Sequence, residues 1–298
     1  MKVSSILFSV FVLVLVISLL SIWFYPSIQD FMASNTKWNG IYNFSGEFEA
    51  DNTDSLEALS DSPQNVVLIA IPYQDYTAEE LAQIKQFVDA GGSLLLMDDY
   101  GYGNNILDYL GVVTRFAASP LLDPLFNFRN QNLPRITDFS SQVKESKIEV
   151  VMFNHATALT GVPESTGIAW SSSASFLDLN ENGVLDQGEL KGPFAVAAEF
   201  RLGQGRLALV SDPSIILNAM VDRDDNYQFM RYLTRDPEGQ REIVVDISHL
   251  TKDPLDVSKT RLIDTRKALS SPYALVGITA LIFVVVSRYT LKKGEFIG

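Results

Sequence analysis

Hydrophobic and polar positions divide the chain into an apolar block near each end and, between them, an alternation of short apolar runs with amphipathic patterns. From Ile6 to Phe24 the only polar residues are Ser9, Ser18 and Ser21, and none is charged. About 19 residues at a rise of about 1.5 Å match a hydrocarbon core about 30 Å thick. Residues 1–26 are therefore predicted to form a transmembrane anchor, with Trp23 and Tyr25 at the headgroup level and Pro26 ending the helix. A cleaved signal peptide is the alternative, although the run exceeds a usual signal core and no small-x-small cleavage site follows directly. The second block predicts a transmembrane helix over 272–290, opening on Pro272 and free of charge from Ala274 to Val286. A juxtamembrane linker of mixed charge, 249–271, precedes it and a basic tail, 291–298, follows. Lys2 lies before the first block, and Arg288, Lys292 and Lys293 border the second. Basic residues beyond both outer ends put both termini in the cytoplasm. Two spans then oblige residues 27–248 to fold outside it, with the bilayer as the first partner.

The middle follows an α/β rhythm. Val66 to Ile71 and Ser93 to Met97 are continuous apolar runs, the pattern of strands covered on both faces. Between them Thr77 and Glu80 form a capping box, and Leu81, Ile84, Phe87 and Val88 give one apolar face before Gly91-Gly92. A further helix is expected from a cap at Asn104 or Asn105 through Ile106, Leu107 and Leu110. Residues 120–141 read as a long irregular excursion and 149–153 as a strand. Residues 194–200 and 206–211 read as a hairpin around Gly203-Gln204-Gly205. A helix is predicted from Asp212-Pro213-Ser214 through Ile216, Leu217 and Met220. A second covers 226–233 with Tyr227, Met230 and Leu233 inward, and 243–247 is a last strand. Trp38, Tyr42, Phe44 and Phe48 are expected to dock on the domain, and Asn218 and Asn226 to close polar gaps between helices. Asn43-Phe44-Ser45 fits a glycosylation acceptor. Strand, helix, strand, helix at this spacing predicts an α/β domain with a mostly parallel sheet.

Charge narrows the partners. With 36 acidic against 23 basic residues the net charge is −13, and no basic stripe offers itself to phosphates, so nucleic acid is excluded as a partner. The acidity fits a preference for cations and equally a general salt adaptation. There is no cysteine, which removes disulfides, thiolate ligands and a Cys nucleophile together.

Residues from about Gly40 to Ile247 resemble the domain of unknown function 4350 family. The stretches that carry the resemblance are VVLIAIPYQDYTAEELAQIKQFVDAGGSLLLMDDYGYGNNILDYLGV and GPFAVAAEFRLGQGRLALVSDPSIILNAMVDRDDNYQFMRYL. The resemblance implies a membrane-tethered relative of the glutamine amidotransferase-like fold, a flavodoxin-like sheet with helices on both faces, and no established activity. Amidotransferases of that fold use a Cys at a strand-to-helix turn. Here the corresponding turn offers Asp98, Asp99 and Gly101, so Cys-based glutaminase chemistry is excluded.

Residues 178–189, DLNENGVLDQGE, fill the twelve-residue calcium-loop template. Asp178, Asn180, Asn182 and Asp186 supply side-chain oxygens, Val184 a carbonyl and Glu189 a closing bidentate carboxylate. Gly183 permits the sharp turn, and Leu185 is expected to pack beneath it. The competing reading is a polar turn. Ser171-Ser172-Ser173 before the loop and Gly192-Pro193 after it argue against flanking helices, which points to a lone structural Ca2+ loop. Asp98 and Asp99 end a strand, where open α/β sheets carry their sites, and with His155 they are the candidate catalytic residues. Turn hydrogen bonding is the plainer role for the two acids and a structural one for His155. Gly203-x-Gly205 lacks the third glycine of a phosphate loop.

The leading expectation is a non-enzymatic, membrane-anchored binding or scaffold domain, an accessory part of a membrane assembly with a membrane or envelope protein as partner. A divalent-metal-dependent hydrolase using Asp98, Asp99 and His155, and a solute-capturing subunit of a transporter, are the alternatives.

Overall fold

Apolar runs too short for helices can be buried only as strands with cover on both faces, and four strands built on such runs lie parallel at the centre of the structure. The computed structural model describes residues 3–60, 62–235, 241–251 and 253–274, together with 276–277, 279–280, 283–284 and 287–288. Its residues group into two units, Ser27–Thr251 and the flanking Met1–Pro26 with Lys252–Gly298.

In the first unit the main strands are β1 (Asp51–Thr53), β2 (Val66–Ala70), β3 (Ser93–Met97), β4 (Ala195–Leu202), β5 (Gly205–Val210) and β6 (Glu242–Asp246). They run side by side in the order β1-β6-β2-β3-β5-β4. All are parallel to their neighbours except β4, which folds back on β5. Beyond β4 the sheet continues antiparallel through Leu159–Thr160 and Arg115–Phe116.

Successive residues of a strand face opposite ways, and the core divides accordingly. Val67, Ile69, Leu95, Met97, Ala208, Val210, Ile243 and Val245 belong to one buried cluster, which Phe229, Met230 and Leu233 of the helix Asn226–Leu233 complete. Leu68, Ala70, Leu94, Leu96, Leu207, Leu209 and Val244 belong to the other, covered by Ile84, Phe87 and Val88 of the helix Ala78–Asp89 and by Ile106 and Leu107 of the helix Asn104–Leu110. The layers are helix, sheet, helix. At the start of Ala78–Asp89 the capping box forms, with Thr77 Oγ1 accepting from Glu80 N and Glu80 Oε2 accepting from Thr77 N.

Several local expectations are corrected by tertiary contacts. The helix expected after Asp212 is a single 3-10 turn, Pro213–Ile216. It stops because the next backbone N–H groups go elsewhere: Asn218 N donates to Gly40 O at 2.7 Å and Ala219 N to Trp38 O at 3.1 Å. The strand expected over 149–153 is reduced to Val151–Met152, because Asp225 Oδ2 takes the N–H groups of Glu149 and Val150 that a neighbouring strand would use. The excursion at 120–141 is more regular than expected, holding short strands at Leu121–Leu122, Asn127–Phe128, Asn130–Ile136 and Asp138–Phe139. Asn104 does not cap its helix. Gly103 occupies the cap, while Asn104 uses its amide to hold both the N–H and the C=O of Phe116. In Asn226–Leu233 the inward set is Asn226, Phe229, Met230, Tyr232 and Leu233, and Tyr227 turns outward to Glu47. Of the four early aromatics, Phe44 is buried and Phe48 stacks on it at 4.5 Å, whereas Trp38 is 70% and Tyr42 55% exposed.

In the second unit the helix Val3–Phe24 contains the 19-residue apolar stretch Ile6–Phe24, long and apolar enough to cross a membrane; a signal sequence would satisfy the same test. Among the described residues no second helix does so. Much of the expected span 272–290 lies outside the described residues, as does the tail 291–298. The expected linker is itself mostly helical, Pro254–Leu269, because Asp253 caps it by accepting from Leu255 N. Lys259 Nζ donates to Tyr25 O, and the Arg266 guanidinium lies over the Trp23 ring at 5.8 Å.

Candidate functional site at the strand ends

The parallel order brings the C-terminal ends of β2, β3, β5 and β6 into one rim, where each strand delivers polar residues just after its last apolar one: Tyr73 and Tyr76, Asp98 and Asp99, Asp212, and Asp246 with His249. Asp98 is buried, and its carboxylate accepts from Tyr100 N at 2.8 Å, Gly101 N at 3.0 Å and Gly103 N at 2.7 Å. It organises the turn that starts the next helix. Burial pushes its pKa up, and these N–H donors oppose the rise.

Asp212 is fully buried at the end of β5. It accepts from Asn154 N at 2.6 Å and Ser214 N at 2.7 Å, stitching the loop after Phe153 to the sheet. Burial raises its pKa to about 8, with the charge of Asp99 adding to the rise. Asp99 itself takes a hydrogen bond only from its own backbone N–H among the described residues. Burial, and then the neighbouring Asp98 charge, raise it to about 7. The Tyr73 hydroxyl beside it is pushed far up, by burial first and by Asp99 next. Tyr73 and Tyr100 rings stand 5.6 Å apart. Sequence reasoning found Asp98 and Asp99 but not Asp212 or Tyr73, which join them only through the strand order.

His155 does not complete an acid-base pair. It is exposed, its backbone is left-handed at φ 56°, and among the described residues its side chain has no hydrogen bond to Asp98 or Asp99. The other histidine is the more fully engaged. His249 is buried, stacked on Tyr76 at 3.5 Å, with Nδ1 3.0 Å from Asp246 Oδ2 and Nε2 3.4 Å from Glu80 Oε2. Asp246 also accepts from Tyr76 Oη at 2.6 Å and from Ser248 Oγ at 2.6 Å. Burial pulls Asp246 upward, yet the bonds from His249, Ser248 and Tyr76 leave it below the ordinary carboxylate range. This cluster locks β6 to the capping box of the Ala78–Asp89 helix.

The loop 178–189 closes on itself. Asp178 is buried, and its two oxygens accept from Asn182 N at 3.1 Å and Gly183 N at 2.7 Å. Gly183 has φ 77°, a left-handed conformation that glycine adopts without strain. Glu189 folds back, accepting from Leu179 N at 2.8 Å and Asp186 N at 2.9 Å. Asn180 and Asn182 both donate their amide NH2 to Asp186 Oδ2, at 2.8 and 2.7 Å. Asp178, Asn180, Asn182, Asp186 and Glu189 are thus tied together through loop N–H groups and the two amides. Among the described residues no group of three or more His, Cys, Asp or Glu is arranged to hold a metal ion, the three loop acids Asp178, Asp186 and Glu189 included. Leu185 is 36% exposed and does not pack beneath the loop as expected.

Layers and rim together define a mixed α/β domain of the open-sheet kind. Over residues 33–234 the chain matches the family described as Domain of unknown function (DUF4350), and it belongs to that family. No curated protein matches it. Among solved structures the mmIFT52 N-terminal domain is similar, with 14% identity and a TM-score of 0.53 over 72% of this chain and 96% of that one. That likeness is one of fold. A β-galactosidase from Bacillus circulans sp. alkalophilus aligns at 12% identity and a TM-score of 0.34, over 59% of this chain and 23% of the enzyme. The exo-β-1,4-mannosidase Op5Man5 from Opitutaceae bacterium strain TAV5 aligns at 14% identity and a TM-score of 0.28, over 58% and 24%. The chain spans about a quarter of the length of these two enzymes.

Proposed function

We propose that the chain is a non-enzymatic, membrane-anchored binding module, an accessory part of a membrane assembly that engages a membrane or envelope protein. The observation that carries this reading is the employment of the rim acids. Asp98 spends its oxygens on three backbone N–H groups, Asp212 on two, and Asp246 on three side chains. Carboxylates so engaged hold loops, and have little capacity left to ligate a metal or move a proton. With no cysteine in the chain, a glutamine amidotransferase-like, flavodoxin-like platform would keep the shape of an enzyme without its nucleophile.

One observation favours the hydrolase alternative: Asp99, bonded only to its own backbone N–H and raised to about 7, has the pKa of a general base. The two readings separate in cells. A full-length chain carrying Asp99→Asn and His155→Ala is expected to restore whatever a deletion strain lacks, to the level of the parent. Loss of rescue by a double variant that melts no lower than the parent would sink the binding reading.

The helix Ile6–Phe24 supports a tether, and the basic residues beyond each apolar block support two spans with both termini in the cytoplasm and residues 27–248 outside it. The closed loop 178–189 supports a structural Ca2+ site. An ion there would be held by Asp178, Asn180, Asn182, the Val184 carbonyl, Asp186 and Glu189. It would take over the role the two amide NH2 groups now play against Asp186, while the amide oxygens turn inward.

A further inference from the structure

At the opposite end of the sheet from the rim, where β3 and β5 begin, lies a cavity of about 900 Å³, within the range that takes small ligands. Its chemistry departs from the rest of this acidic chain, for four arginines, Arg201, Arg206, Arg235 and Arg241, line it against three glutamates, Glu145, Glu164 and Glu199. Glu199 bridges two of them, accepting from Arg206 Nη2 and from Arg235 Nη2 at 3.2 Å. Both arginines also satisfy the end of the helix Asn226–Leu233, Arg206 Nη1 donating to Leu233 O at 2.7 Å and Arg235 Nη1 to Tyr232 O at 2.9 Å. One carboxylate between two guanidinium groups leaves a positive charge over.

Two donors are left over as well. Arg206 Nε and Tyr232 Oη are both buried, and neither has a hydrogen-bond partner among the described residues. Tyr232 is only 6% exposed and carries the Arg235 guanidinium on its ring at 3.8 Å. Arg Nε can only donate, so what is missing there is an acceptor. Buried donors without acceptors are rare in folded proteins because each forfeits its bond to water without replacement. Two of them, beside surplus positive charge in an open cavity, call for a ligand that brings oxygen acceptors and negative charge.

We propose that this cavity binds a small molecule through an oxyanion, a carboxylate or phosphate group, received by Arg206 Nε and Tyr232 Oη once a small rotation of the two side chains turns these solvent-closed atoms toward it, with Arg235 alongside. The site is separate from the strand-end rim and does not depend on the reading of that rim. It also lies away from the ends of the domain. Phe31 packs on Tyr73 at a ring distance of 6.2 Å, and His249 O accepts from Tyr73 N, so the chain enters and leaves the unit at the rim.

The test uses the full-length chain in detergent micelles, titrated with inorganic phosphate, with citrate, and with chloride at matched ionic strength, while the melting midpoint is followed. The expected result is a saturable rise with phosphate or with citrate and none with chloride; which of the two acts identifies the group. Tyr232→Phe is expected to weaken that binding about tenfold, as loss of one hydrogen bond to a charged group does, and Arg206→Lys at least as much, because lysine lacks the planar fork. Without ligand, Tyr232→Phe should melt no lower than the parent, since its hydroxyl has no partner to lose. Absence of a saturable rise, an equal rise with chloride, or unchanged binding in both variants overturns the proposal. So does a Tyr232→Phe protein that is destabilised before any ligand is added.

Discussion

Asp99→Asn is expected to stabilise the domain at pH 8.5, by roughly 2–4 kcal/mol, and to leave it almost unchanged below pH 4. The reasoning is one of linkage. The carboxyl of Asp99 is raised from 3.8 to about 7 in the folded chain, by burial first and by the Asp98 charge second. A folded state that holds its proton more tightly than the unfolded chain gains stability at low pH. That gain is complete below the unfolded value near 4 and is lost as pH rises through about 7. Asp212, raised to about 8, adds a second loss of the same sign slightly higher. Asp246 and Glu80 act oppositely, because their lowered values withdraw stability only as pH falls into the acid range. Stability should therefore peak near pH 4 to 5, decline from there to about pH 8 and level off above it. Three units at about 1.4 kcal/mol each set the ceiling for Asp99, and an uncharged but still half-buried amide recovers part of it. Urea unfolding of parent and variant across this range checks the point. Parallel curves with no gain at high pH would mean that Asp99 is solvated and its neighbours do not feel it.

Calcium gives the second large effect. Weak loops of this type bind at about 10⁻⁴–10⁻³ M, so 10 mM calcium would stand at roughly 10–100 times the dissociation constant and stabilise by about 1.4–2.7 kcal/mol. For a domain of this size that is a rise of about 3–10 °C in melting temperature. Glu189→Gln should abolish the rise, since Glu189 closes the loop by holding Leu179 N and Asp186 N with its two oxygens. Magnesium should not substitute, because it demands a tighter six-oxygen shell than this loop of mixed amides and carboxylates provides. A parent protein whose melting is indifferent to calcium would reduce the loop to a self-sealed polar turn.

How much of this was legible beforehand varies with the origin of each feature. Local signals survive: the capping box at Thr77 and Glu80, the buried runs ending at Ala70 and Met97, and the hairpin about Gly203-Gln204 depend on neighbours in sequence, and each forms close to where its pattern puts it. Features set by distant partners were hidden. Nothing near Ser214 announces that Asn218 and Ala219 will give their N–H groups to Gly40 and Trp38 and so end the turn. Asp212 joins Asp99 only because β5 lies beside β3, an order no single-chain pattern encodes. The arginine cavity was invisible for the same reason. Arg201 and Arg206 flank a hairpin and Arg235 and Arg241 follow a helix, and along the chain they form no basic run. A polar signal was nevertheless available. Each parallel strand is followed within a few residues by an Asp, and reading those acids as one rim would have found Asp212 and Asp246 alongside Asp98 and Asp99.

The claim on which the proposed role rests is that residues 27–248 stand outside the cytoplasm on a membrane tether, and limited proteolysis addresses it most directly. Protease added to intact cells, with the outer envelope permeabilised where there is one, is expected to cleave exposed loops of the domain such as the one around Leu125 and Phe126. In inside-out vesicles the domain should be protected. The reverse pattern, protection in cells and cleavage in inverted vesicles, would put the domain in the cytoplasm and contradict the proposal.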